Sequence, residues 1–122
     1  MDRNGVERWL AAYETMWRSG RPEDLDTLFT PAAVYRPGPR AAPIEGLDAI
    51  RRWWRAESDP REEWVLSAEV VAVDGGTAVA RLDVRYSAPE VVRYLDLWIM
   101  RFITDGRCAE FEEWWWRDPP AS

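Results

Sequence analysis

From Glu63 onward the chain is written as four long runs of alternating apolar and polar residues, about Glu63 to Val73, Thr77 to Ser87, Val91 to Thr104 and Arg107 to Arg117. Turn signals separate them: Asp74-Gly75-Gly76, Ala88-Pro89-Glu90 and Asp105-Gly106. Runs of this kind joined by short turns pair as an antiparallel meander. Strands this long cannot lie flat. Their right-handed twist curls the sheet, so that it wraps around whatever packs on it and leaves room for a pocket.

The first half of the chain has a different period. Val6, Trp9, Leu10, Tyr13, Met16 and Trp17 recur at the spacing of one helix face, and Ser19-Gly20 ends it. Pro22 is placed to open a second helix, with Leu25, Leu28 and Phe29 as its apolar face and Pro31 closing it. A brief strand, Ala33 to Arg36, comes next. Pro37-Gly38-Pro39 and Pro43 then make a stiff loop, and Leu47, Ile50 and Trp54 mark a third helix ending near Ala56. Three helices followed by a meander is an α+β order. At 122 residues the expectation is a single domain, 1–122, with Asp118-Pro119-Pro120 as a short tail.

Composition narrows the chemistry. Apolar residues at 47% and charged ones at 31% are those of a soluble globular protein. The formal charge is 16 − 22 = −6, and every basic residue is arginine. Nucleic-acid binders carry the opposite sign, so phosphate backbones are not expected partners. The sequence holds no His, Lys or Gln and only one Cys, Cys108. That removes the Ser-His-Asp triad, the Schiff base, the P-loop lysine, His-containing metal sites and the paired-thiol redox site. Proton transfer falls to Asp, Glu, Tyr or water, and neither metal nor cofactor is expected. No signal peptide is read at Met1-Asp2-Arg3-Asn4-Gly5, and the longest strongly apolar run, Leu97 to Met100, is too short for a membrane span. A cytoplasmic protein is the expectation.

The order of elements, together with the strings YETMWRSG, LDTLFTPAAVY, EGLDAIRRWW, VVAVDGGTAVA and RFITDGRCAEFEEWWW, resembles the nuclear transport factor 2-like superfamily, in its SnoaL-like branch. That resemblance implies a cone-shaped α+β domain: a curved sheet and three helices around a mostly apolar cavity, often in a homodimer. It does not imply one activity, since the fold hosts isomerases, dehydratases, cyclases, epoxide hydrolases and binding modules.

Alternation on the second long strand puts Ala78, Ala80, Leu82, Val84 and Tyr86 on one side and Val79, Arg81, Asp83 and Arg85 on the other. Pattern alone leaves open which side meets water. The resemblance implies that Arg81, Asp83 and Arg85 face the cavity, with Tyr94, Asp96, Trp98 and Met100 from the third strand and Ala109, Phe111, Glu113 and Trp115 from the fourth. Similarity to ketosteroid isomerase keeps a pocket tyrosine at Tyr13, but places that family's two acids at Arg36 or Pro37 and at Trp98. Similarity to limonene epoxide hydrolase carries further: its Arg-x-Asp string matches Arg81-Leu82-Asp83, its second acid Glu113, and its water-binding tyrosine Tyr35, whereas its asparagine falls on Pro37. In that reading Glu113 and Tyr35 activate a water, Asp83 protonates an epoxide oxygen and Arg81 bridges the acids.

Tyr13, Trp17, Trp54, Asp96, Trp98, Phe111 and Trp115 are the expected substrate-binding residues. Each also has a plainer reading. Most of the nine tryptophans suit core, pocket wall or dimer interface, and Tyr13 suits a packed core tyrosine. Asp96 is either a third pocket acid or, one residue out of register, a surface group. The expected function is cofactor-free acid-base catalysis on a small apolar molecule, with epoxide opening or hydrolysis as the sharpest form. The alternatives are a SnoaL-type cyclase or isomerase using Asp96 or Asp83 as its acid, and a non-catalytic ligand-binding or dimerisation module.

Overall fold

A computed structural model describes residues 1–119. Helix α1, Arg3–Ser19, starts at Asp2, whose side chain accepts the Gly5 N–H at 2.8 Å. It ends at Gly20, where φ of 65° lets the backbone turn left-handed and its N–H reach Trp17 O. Next come a short 3-10 helix, Pro22–Thr27, then strands β1 (Phe29–Arg36) and β2 (Ile44–Glu45), and helix α2 (Leu47–Glu57). Strands β3 (Glu63–Asp74), β4 (Thr77–Ala88), β5 (Val92–Phe102) and β6 (Cys108–Asp118) complete the chain. The sheet order is β2-β1-β6-β5-β4-β3.

The α+β class and the four long strands are as the sequence predicts, with two corrections. The second helix is only a 3-10 turn, leaving two α-helices rather than three. Phe29 belongs to β1, because the sheet gives its ring a fully buried place against Trp9 and Phe111. Pro31 lies inside that strand, where the β1–β6 register shifts between Phe29 and Val34, so its missing N–H falls in a broken stretch of ladder. The sheet is also mixed: β1 runs parallel to β6, pairing Tyr35 with Phe111.

Register decides which face is inside. Residues directly opposite in an antiparallel pair project to the same face. Leu82 stands opposite Asp96 and Ala80 opposite Trp98, while Trp98 stands opposite Glu113 and Met100 opposite Phe111. The inner face of β4 is therefore Ala78, Ala80, Leu82 and Val84, all buried. Arg81, Asp83 and Arg85 lie on the outer face, contrary to the expectation carried by the family resemblance. Against the inner face α1 lays Val6, Trp9, Tyr13 and Met16. Tyr13 stacks on Phe111 at 5.7 Å, and the indole N–H of Trp9 donates to the Leu28 carbonyl at 3.0 Å. Burial of each such large side chain contributes about 1.5–3 kcal/mol, which holds helix to sheet. Among the described residues no helix is long and apolar enough to cross a membrane.

Candidate active site

At one end the helices do not cover the sheet, and a cavity of about 600 Å³ opens between β4, β5 and β6, the C-terminal ends of α1 and α2, and the segment entering β3. Two carboxyls stand in its wall. Asp96 on β5 faces Trp115, and Glu113 on β6 faces Trp98, so the acids are diagonal neighbours on one face of the sheet. Asp96 is only 8% exposed. Its Oδ2 accepts the indole N–H of Trp98 at 3.2 Å, and its Oδ1 is the one buried side-chain oxygen among the described residues without a donor.

No arginine acts on this pair. Burial raises the Asp96 pKa, partly offset by the indole N–H of Trp98. Burial raises Glu113 further, and the negative charge of Asp96 adds to it. Glu113 therefore holds its proton more tightly than Asp96 does. Two like charges on neighbouring strands in a buried wall cannot both ionise at low cost. Tyr13 is pushed well above its ordinary range by burial and by the Glu113 charge, so its hydroxyl stays a neutral donor.

Of the residues expected from sequence, Tyr13, Trp17, Trp54, Asp96, Trp98, Glu113 and Trp115 line this cavity. Trp115 forms its rim, its N–H bound to the Pro37 carbonyl at 3.0 Å. Phe111 lies fully buried beneath Tyr13. Tyr35 sits in the layer behind, against Trp53 and Phe111, and does not reach the cavity. Arg81 and Asp83 are not in the site. Arg81 is exposed on the outer face with Glu69 at 3.8 Å, and Asp83 is bound there by Arg93 at 2.7 Å and Arg85 at 3.3 Å. Those arginines hold the Asp83 carboxyl well below the usual carboxylate range, the state of a structural ion pair. The proposed relay from Arg81 through Asp83 to Glu113 is thereby corrected, because the sheet lies between its ends.

The sequence reading missed Trp64, Tyr86 and Glu62 in the lining. Trp64 stacks on Trp17 at 4.1 Å and carries the Arg18 guanidinium 4.0 Å from its ring centroid. Tyr86 was hidden by the wrong choice of face for β4. Among the described residues no three metal-type donors converge.

A curved mixed sheet closed by helices around an acid-bearing aromatic cavity is the architecture of the nuclear transport factor 2-like fold. Within it, the chain belongs to the SnoaL-like domain family, which it matches over residues 6–111. No curated protein matches the sequence. Solved structures agree in fold. A steroid delta-isomerase from Pseudomonas aeruginosa is 21% identical with a TM-score of 0.67, covering 98% of this chain and 83% of its own. The epoxide hydrolase/cyclase-like enzyme SalBIII, described in pyran ring formation in the polyether salinomycin, is 16% identical with a TM-score of 0.73, covering 94% and 93%. A nuclear transport factor 2-like protein of unknown function from Mesorhizobium loti is 23% identical with a TM-score of 0.68, covering 95% of each chain.

Proposed function

We propose that the protein is a cofactor-independent acid-base enzyme of the isomerase or cyclase type, acting on a small molecule with a largely apolar frame. The observation that carries this reading is the Asp96–Glu113 pair, two neighbouring carboxyls without an arginine in the wall of an aromatic cavity. With one proton between them, Asp96 is a base and Glu113 an acid at neutral pH. Asp96 takes a proton from a carbon beside a carbonyl, and the neutral Tyr13 hydroxyl donates to the oxygen that gains charge. Glu113 delivers its own proton to the new position on the same face of the substrate. Passage of the first proton from Asp96 to Glu113 restores the pair. Side-by-side acids suit such a transfer better than they suit epoxide hydrolysis, which requires acid and base on opposite sides of the ring. The fold shared with a steroid isomerase and a cyclase-like enzyme supports the class of reaction.

The test is proton exchange. A panel of β,γ-unsaturated ketones and hydroxy-epoxides incubated in heavy water should show deuterium uptake next to the carbonyl, or ring closure, with the wild type. Asp96→Asn should lower the rate by about 10²–10⁴-fold. An Asp96→Asn variant as fast as the wild type would refute the assignment. The homodimer also remains part of this reading: Leu95 pairs across strands with Trp116 and Leu97 with Trp114, and all four are exposed on the outer face, where a second copy can cover them.

A further inference from the structure

We propose that the substrate carries a positive charge: the cavity is built for an organic ammonium ion on an apolar frame, and it selects against carboxylates. The inference rests on the reading of this cavity as the active site and names the class of molecule it takes. Six carboxyls line the space, those of Glu57, Asp59, Glu62, Glu90, Asp96 and Glu113, against one guanidinium, that of Arg18. Arg18 is already engaged. Its Nε meets Glu14 at 2.8 Å, its Nη1 donates to the Trp64 carbonyl at 3.3 Å, and its guanidinium covers the Trp64 ring.

Of the six acids, Asp59 and Glu90 are paired with Arg61 at 2.8 Å and Arg117 at 2.7 Å. Glu57, Glu62, Asp96 and Glu113 have no such partner among the described residues. Acids in this wall raise one another: burial and then the charges of Asp59 and Glu57 push the Glu62 carboxyl up, against a backbone hydrogen bond at Asp59, and the charge of Asp96 pushes up Glu113. A cation placed among them relieves that repulsion, and an anion increases it.

The remaining wall provides the second half of a cation site. Trp54, Tyr86 and Tyr94 line the same space, and Tyr86 meets Tyr94 edge to face at 6.0 Å. Ring faces attract ammonium groups, most strongly where water is excluded. The mouth already contains one cation on an aromatic face, the Arg18–Trp64 pair. An ammonium held near Glu57 and Glu62 leaves the carbon frame pointing toward Asp96 and Glu113, deeper in the wall.

A matched set of probes tests this: choline, its uncharged isostere 3,3-dimethylbutan-1-ol, and the anion 3,3-dimethylbutanoate, titrated while following tryptophan fluorescence. Choline should bind about tenfold or more tightly than the alcohol, with the anion weakest. The double substitution Glu57→Gln with Glu62→Gln should bring choline down to the affinity of the alcohol without changing that of the alcohol. Choline binding no tighter than the alcohol, or unaffected by the double substitution, overturns the proposal. The catalytic reading fails separately, by an Asp96→Asn variant that keeps proton exchange while still preferring choline.

Discussion

Asp96 and Glu113 bind protons more tightly in the folded chain than in the unfolded one, with values raised to about 6 and about 8 by burial and, for Glu113, by its neighbour. Stability from this source is complete below the unfolded values of about 4 and is lost as pH rises through the folded ones. The thermal midpoint of the wild type should therefore fall between about pH 4 and 8, and Glu113→Gln should flatten most of that decline. Asp83 has the opposite sign. Its lowered carboxyl contributes stability above the usual carboxylate range, lost on acidification. Asp83→Asn should cost no more than about 1 kcal/mol, measured by urea unfolding at neutral pH, and should leave proton exchange at the wild-type rate because the side chain points away from the cavity. The sequence makes Glu113 an inward acid only through the family resemblance, and it leaves Asp96 open between the pocket and the surface. The family resemblance places Arg81 and Asp83 inward as well, although the turn carries the opposite answer. With Ala88-Pro89-Glu90 as the loop, Ser87 stands opposite Val91, and counting back puts Leu82, not Asp83, beside Asp96.

The hairpin between β3 and β4 is pinned by close approach. Phe102 N donates to Gly76 O at 2.7 Å, and a Cβ on Gly76 would lie 2.7 Å from the Phe102 carbonyl oxygen. Gly76→Ala must push two backbones apart, and a loss of about 1–3 kcal/mol is expected. Gly20→Ala meets nothing within 4 Å and pays only for its left-handed φ, about 1 kcal/mol. Urea midpoints at unchanged slope would rank the two. Strand boundaries in this region were readable because turn residues and alternation agree. The parallel pairing of β1 with β6 was not, since it depends on Tyr35 and Phe29 packing on Phe111 from some eighty residues away. The six residues after Arg21 are too few to hold an α-helix against that pull.

At the scale of the molecule, the helices close one side of the sheet and leave the other bare. Trp116 is 69% exposed and Trp114 48%, flanked by Arg93, Asp83 and Glu112 on the same face. Sedimentation should find a dimer, and Leu97→Arg combined with Trp116→Arg should yield a monomer. The order of elements along the chain made the fold readable as a whole, whereas the cavity's acidity depends on register and on which arginines are already engaged, which no linear pattern states. The proposed chemistry needs Asp96 ionised while Glu113 still holds its proton at neutral pH. Carbon-13 NMR of the side-chain carboxyls, assigned with Asp96→Asn and Glu113→Gln, tests it without a substrate. Two separate titration steps are expected, with one carboxyl ionised and the other still protonated at neutral pH. Two resonances fully ionised by about pH 5, as in unperturbed carboxylates, would contradict it.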